Sequence, residues 1–404
     1  MHLVPILSTL RRHRTTSAWI VLEIALTCAI VCNTIFPIRE RLARMQRASG
    51  LVEDELVAVK LAGIGTKADA DALTAQDLFA LRGIPGVKSV AATNMIPFGG
   101  SSWNGDISTI RDDPAAVTGA LYMGTEDLLE TWGARLVAGR DFTPAEYITF
   151  SAAVAKTPIP SIILTRQLAE RLFHGDNPLG KGVYVWGSEP HIVVGIIEHV
   201  ARPNDNGGPT HASYAMVVPV KIPYTRGGHY LLRVDPARKA EVLSTIDSTL
   251  DKIDTARIIV SRKSFAEVRA GYFHQDRAMV YLLAGVSVAL LIITALGIIG
   301  LASFWVQQQT RQIGIRRALG ATRGDILRYF QLENFILATV GIVLGMGLAY
   351  AINLWLMSSY QAARLPAAVL PSGAALLWLL GQIAVLGPAL RAARIPPAVA
   401  TRTV

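Results

Sequence analysis

Four long apolar runs frame a middle in which short apolar and polar positions alternate. The first run, 17–38 (SAWIVLEIALTCAIVCNTIFPI), is close to the ~20 residues a helix needs to cross a bilayer. The others are 279–305, 335–357 and 368–390. The third is rich in glycine, and Gly341 and Gly345 have the small-x3-small spacing that lets membrane helices approach closely. The fourth holds Trp378, and a bend is expected at Gly387-Pro388. A basic stretch, RRHR, precedes the first run as in a signal peptide, but the run is long and no small-x-small site follows it. Thr27 and Val31 stand where a lipoprotein signal before Cys28 or Cys32 would have a small residue. The pattern predicts an uncleaved anchor.

Between the first two runs the period changes. Strand patterns are expected at 56–63, 89–98, 116–124, 161–165, 191–200, 212–220 and 229–234. Helical patterns are expected at 74–87, with Thr74 as N-cap, and near 126–132, 166–173 and 237–253. VYVWG and HIVVGIIEHV read as a hairpin about Gly187, Ser188, Glu189 and Pro190, and 201–211 as a surface loop. The fold class is therefore an α-helical membrane protein with four transmembrane helices and one large α+β domain, of two subdomains, between spans one and two.

Composition supports this division. The 404 residues are 51% hydrophobic and 17% charged, with mean hydropathy +0.37, well below the charge content of a soluble domain. All the lysines lie between positions 60 and 263, while the flanks carry arginine. The net charge of +9 comes without aromatic-basic interleaving, so no nucleic-acid partner is expected. Arginines beside apolar runs set membrane orientation instead. Arg11, Arg12 and Arg14, then Arg311, Arg316, Arg317, Arg323 and Arg328, then Arg391, Arg394 and Arg402 fall on one side of four spans. The opposite loop, 358–367, has only Arg364. This parses the chain as a cytoplasmic N-terminus (1–16), span one (17–38), an outside region with stalks (39–278), span two (279–305), a cytoplasmic loop (306–334), span three (335–357), a short outside loop (358–367), span four (368–390) and a cytoplasmic tail (391–404). Arg39, Arg41, Arg44 and Arg47 lie on the unexpected side, and a helical stalk continuing span one would hold them clear of the bilayer centre.

Candidate chemistry is sparse. Glu23 is an intramembrane carboxylate, a functional candidate by default; pairing with a nearby arginine is the plainer expectation. Asn33 and Gln382 are weaker candidates. Cys28 and Cys32, four apart on one helix, are expected to be free thiols. His191, His199, His211 and His229 have irregular spacing, so no metal is expected. Asp106, Asp112, Asp113 and Asp141 read as turn and surface residues. GDNPLGKG (175–182) resembles a phosphate loop but has helix before it and strand after it, Gly182 in place of the Mg2+-binding hydroxyl, and Pro178 removing a donor. It reads as a helix-to-strand turn, and no cofactor or catalytic residue is expected.

The cytoplasmic loop is more informative. TRQIGIRRALGATRGDILRYFQLEN (310–334) predicts a short basic helix ended by Gly320, then a second from about Thr322 to Tyr329 leading into span three. Such a helix suits docking on another protein or lying on anionic lipid. RQIGIRRALGAT resembles the segment between spans two and three of MacB/FtsX-like ABC transporter permeases, and PALRAARIPPAVATR (388–402) resembles their closing motif. In the outside region GARLVAGRDF (133–142), NPLGKGVYVWGSEPHIVVGII (177–197) and LLRVDP (231–236) resemble the family's MacB-like periplasmic core, making NPLGKG a recurring turn.

The resemblance implies a permease subunit of the bacterial inner membrane, with both termini cytoplasmic and the large domain periplasmic. It implies a cytoplasmic ABC ATPase dimer, a second permease chain, and a periplasmic adaptor with an outer-membrane channel as partners. The permease itself would not be an enzyme, and ATP would be bound by the partner. Arg311, Gln312, Ile313, Gly314, Ile315, Arg316, Arg317, Ala318, Leu319, Gly320, Ala321 and Thr322 would be the coupling helix, with Gln312 where many members have glutamate. The function implied is conversion of ATP hydrolysis into motion of the periplasmic domain, for efflux of a peptide, lipid-linked or drug-like substrate. Activation of a periplasmic hydrolase or sensor, or lipoprotein extraction, are the alternatives.

Overall fold

The computed structural model describes residues 14–63, 69–100, 103–154, 157–185, 189–204, 212–223, 229–360, 366 and 369–396. Arg11, Arg12, Gly187, Ser188, His211, Arg364 and Arg402 lie outside them. Two units form: Arg47–His274, and the flanking segments Met1–Gln46 with Gln275–Val404.

The flanking unit is helical. Helix α1 (Arg14–Met45) contains the first apolar run and continues past it through Arg39, Arg41 and Arg44, as the stalk reading expected. The outside unit then supplies β1 (Leu56–Gly63), α2 (Ala70–Arg82), β2 (Val87–Thr93), β3 (Asn104–Ile107), β4 (Val117–Met123), α3 (Leu128–Trp132), β5 (Leu136–Gly139), β6 (Ile148–Thr149), α4 (Phe150–Val154), β7 (Ser161–Thr165), α5 (Arg166–Phe173), β8 (Gly182–Val183), β9 (His191–Ile197), β10 (Ala215–Val218), β11 (Val220–Lys221), β12 (His229–Val234), α6 (Lys239–Asp251), β13 (Arg257–Ser264) and α7 (Phe265–Tyr272). The chain returns through α8 (His274–Gln308), α9 (Thr310–Ala318), α10 (Arg323–Tyr360) and α11 (Val369–Ala393). Helices α1, α8, α10 and α11 are each long and apolar enough to cross a membrane.

The outside unit has two main sheets, matching the two expected subdomains. In the first the order is β13-β1-β12-β2 and all pairings are antiparallel. This is a split β-α-β arrangement used twice, with α2 joining β1 to β2 and α6 joining β12 to β13. Leu78 and Leu81 of α2 and Val242, Ile246 and Leu250 of α6 share its core with Val57, Val59 and Leu232. Everything from β3 to β11 is inserted between β2 and β12. Most of that insertion forms a mixed sheet in the order β3-β4-β10-β7-β9-β5, with β8 paired to β9. The hairpin expectation holds where described: Val183 faces His191.

Some boundaries differ for physical reasons. Helix α2 begins at Ala70, so Thr74 is inside it and donates to the Ala70 carbonyl at 2.7 Å instead of capping. The strand expected at 89–98 ends at Thr93. Asn94 leaves the ladder, donates its amide to Leu121 O and accepts from Met123 N, both at 2.9 Å. The strand expected at 212–220 divides at Pro219, which has no N–H to give a ladder. The helix expected from Thr322 to Tyr329 is the start of α10, continuous with span three.

In the helical unit, α1 is the central contact. A Cβ on Gly341 or Gly345 of α10 would stand 2.8 Å from Ile24 Cβ or 2.5 Å from Cys28 Cβ, so both glycines permit close approach. Asn33 donates across to Ala349 O at 3.1 Å. Thr27 meets Thr294 of α8, and Thr34 meets Ser287, each at 2.8 Å. Cys28 and Cys32 are free and buried. The Glu23 oxygens lie 2.5 and 2.8 Å from where a Cβ on Gly297 of α8 would be, so that glycine makes room for the carboxylate, while Arg11 and Arg12, two of the arginines before the span, lie outside the described residues.

Candidate functional site

The loop between α8 and α10 is built by local signals that can be followed bond by bond. Helix α9 begins after Gln309, with Thr310 donating to Val306 O at 2.9 Å. It ends where Gly320 turns left-handed at φ +100°. Gly320 N donates to Arg317 O at 3.2 Å and Ala321 N to Arg316 O at 3.0 Å, closing the last turn. Among the described residues no atom beyond its chain neighbours lies within 4 Å of a Cβ placed on Gly320, so the backbone angle, not crowding, calls for glycine. Thr322 then caps α10. Its N–H and hydroxyl donate to Asp325 Oδ2 at 3.0 and 2.6 Å, and Asp325 N–H returns to Thr322 Oγ1 at 3.2 Å. The letters GAT are thus a helix stop, a spacer and a helix start.

Three contacts fix α9. Ile313 is buried in a cluster with Val306, Ile326, Phe330, Ala389 and Ala392, reaching α8, α10 and α11 at once. Arg317 donates to the carbonyl of Ile395, just beyond α11. Arg316 lays its guanidinium over Tyr329, 4.8 Å from the ring centroid. Gly314 is buried, and Arg317 and Ala321 are half-buried. The rest of the predicted set, Arg311, Gln312, Ile315, Arg316, Ala318, Leu319, Gly320 and Thr322, is exposed. Leu319 is 83% exposed and Ile315 44%. One anchored helix therefore presents two apolar side chains among arginines, while the acid beside it, Asp325, is engaged in the cap.

A second constellation was not legible as a site. Asp276, near the start of α8 and 5% exposed, accepts from Arg41 and lies 3.6 Å from Arg44 of α1. These contacts tie the stalk ends of α1 and α8. The unexpected arginines after span one were the sequence signal, and their acidic partner sits three residues before the second apolar run.

The other candidates do not assemble. In GDNPLGKG the loop amides are spent internally: Leu179 N on Asn177 Oδ1 at 3.1 Å, Gly180 N on Val193 O at 2.9 Å and Lys181 N on Pro178 O at 3.1 Å. Lys181 pairs with Asp176 at 3.1 Å, and α5 precedes and β8 follows as expected. His191 Nδ1 bonds Ile159 O at 2.7 Å and His199 Nε2 bonds Ala48 O at 2.9 Å, while His229 lies in the other sheet. Among the described residues no three His, Cys, Asp or Glu side chains gather as metal ligands. Asp106 is exposed but sits in strand β3, not in a turn, and accepts from Thr118 opposite it at 2.6 Å; Asp113 accepts from Ser108 at 2.6 Å, as a turn residue does. Burial raises the Asp141 carboxyl even though it accepts from Phe142 N. Asp112 stays at the surface beside Arg111, 3.4 Å away.

Comparison with known proteins finds two family models along the chain. Residues 39–258, more than half of the chain, match the MacB-like periplasmic core domain, and 284–397 match the FtsX-like permease C-terminal domain. An uncharacterized ABC transporter permease, YknZ of Bacillus subtilis, is 24% identical over 365 residues, covering 85% of this chain and 82% of that protein. The macrolide export ATP-binding/permease protein MacB of Bartonella henselae is 27% identical over 59% of this chain, and the pyoverdine export protein PvdT of Pseudomonas entomophila 26% over 65%. The matches span only 35% and 39% of those two proteins. Among solved structures, the extracellular domain of YknZ superposes with TM-score 0.32 at 17% identity, covering 50% of this chain and all of that one. The periplasmic region of MacB from Actinobacillus actinomycetemcomitans gives 0.33 at 13%, covering 56% and 97%.

Proposed function

The chain belongs to the MacB/FtsX-like family of ABC transporter permeases, and from that premise we propose that it is the membrane subunit of an export machine driven by ATP hydrolysed in a separate cytoplasmic ATPase. The observation that carries this reading is α9: a helix held by three anchors, with Ile315 and, just past the helix end, Leu319 exposed beside the arginines Arg311 and Arg316. A rigid apolar knob with a positive rim fits an apolar groove edged by carboxylates. The ATPase dimer supplies that groove, and a second permease chain completes the complex. The permease itself hydrolyses no ATP and holds no cofactor.

Closure of the ATPase moves α9, and Ile313 passes the displacement to the ends of α8, α10 and α11. Helices α1 and α8 lead by chain continuity into the outside domain, and the Arg41–Asp276 pair makes them move together. Orientation follows the arginine counts, with both termini cytoplasmic and residues 47–274 outside the inner membrane. The relatives named as exporters of macrolide and pyoverdine support efflux. The cargo class is a peptide, lipid-linked or drug-like molecule, delivered to a periplasmic adaptor and outer-membrane channel.

Leu319→Asp tests this. The side chain is 83% exposed, so insertion and thermal stability stay unchanged. A carboxylate in the apolar contact weakens ATPase binding by at least ~1.4 kcal/mol, or about tenfold. Normal co-purification and normal stimulated ATP turnover with this variant would remove α9 as the docking element.

A further inference from the structure

The buried stripe of α10 runs Ile326, Phe330, Glu333 and Leu337, at helical spacing. Three of the four are apolar. Glu333 is 1% exposed, and neither of its carboxylate oxygens has a hydrogen-bond partner among the described residues. Its neighbour Asn334 is buried too, and the side-chain nitrogen also lacks one. Beside them lies a cavity of about 20 Å3, walled by Ile20 of α1, Ile298 and Trp305 of α8 and Val385 of α11. It has room for one water molecule, and Glu333 and Asn334 offer that water its polar contacts.

Among the described residues, Glu333 is the one ionisable side chain lining this cavity. Helices α1, α8 and α11 contribute apolar groups and an indole. Glu23 of α1 is set against Gly297. The charge that acts on Glu333 comes from α9: Arg316, whose guanidinium lies over Tyr329, one helical turn before Glu333. An anion in this cavity would lack donors in surroundings of hydrocarbon, where an undissociated acid costs far less.

We propose that Glu333 is a proton-binding site of the helical unit: it is the undissociated acid in this arrangement, donating its O–H to one water in the cavity, and it releases the proton when the bundle opens to bulk water. The step is RCOOH to RCOO− plus H+, exchanged with solvent, with no other reactant. A proton held in one arrangement and released in another biases the equilibrium between them. Acid holds the bundle closed around Glu333, and alkali favours the opened form. The site stands on the helical unit alone and does not depend on which ATPase docks on α9.

The test is infrared spectroscopy of the full-length chain in lipid nanodiscs near neutral pH, read at the carbonyl stretch of undissociated carboxylic acids. A component of that band is expected in the wild type and in Glu23→Gln, and is expected to vanish in Glu333→Gln. Its absence from the wild type, or its survival in Glu333→Gln, would overturn the proposal. Because a variant can fail to insert, the wild type is also treated with dicyclohexylcarbodiimide, which attacks undissociated carboxyls in apolar surroundings. Peptide mass spectrometry is expected to find the adduct on Glu333, decreasing as pH rises. An adduct that is absent or independent of pH counts against it.

Discussion

Gly320 and His229 show how much a single residue decides. Gly320 is needed for its backbone angle alone, and with Thr322 it fixes where α9 stops and α10 starts. His229 is placed for packing and is 6% exposed, opposite Lys60 on β1 and Thr93 on β2. Burial first, and the Lys60 charge second, push its imidazole down to about 4. Burial lowers His191 in the same direction. The unfolded chain takes up these protons near pH 6.5, where the folded domain still refuses them. The stabilising effect is therefore complete above pH 6.5 and is lost as pH falls towards 4, by on the order of 3 kcal/mol for His229. Thermal unfolding of the outside domain within the full chain, followed from pH 7 to pH 4.5, is expected to fall steadily. His229→Gln should flatten the curve and leave the smaller slope due to His191. An unchanged slope in that variant would assign the acid sensitivity elsewhere.

At the scale of elements, the junction of α1 with α8 is the part that must carry motion. Asp276 is buried, whereas the Arg41 and Arg44 side chains are 32% and 33% exposed, so solvent screens part of the attraction. Asp276→Asn keeps the shape and removes the charge. It should destabilise the helical unit by about 1 kcal/mol. Arg41→Gln should then cost less in the Asp276→Asn background than in the wild type. Strictly additive losses in unfolding measurements would mean that the two helices are not tied here. The continuation of α1 beyond the bilayer run was legible, because four arginines past the span demanded a helix to carry them. Asp276 was not legible: a lone acid before an apolar run reads as an ordinary boundary residue until the fold brings α1 beside it.

At the scale of the molecule, apolar run length was enough to mark four long helices, and the change of period an α+β domain between the first two in sequence. SIILT, RQLAERLF and HYLLRV were legible to the residue, because each is a clean period bounded by a break. The two-sheet topology was not, since the insertion of β3 to β11 between β2 and β12 is a long-range pairing with no local signature. Across α9 and the turn that follows it, the sequence marked twelve residues alike. Burial sorts them into Ile313 and Gly314 facing the bundle and Leu319, Ile315 and Arg316 facing outward. Arg317, which reads as a docking charge, instead ties α9 to Ile395. Glu333 was hidden by its place just before the third apolar run, where a single glutamate looks like a helix-end residue. The most direct test of the central claim, that work from ATP enters at α9, is site-specific photocrosslinking in intact membranes. With a photoreactive residue replacing Leu319, the adduct should contain an ABC ATPase; with one replacing Lys181, it should not. An ATPase adduct from position 181, or none from position 319 in a functioning complex, would contradict the account.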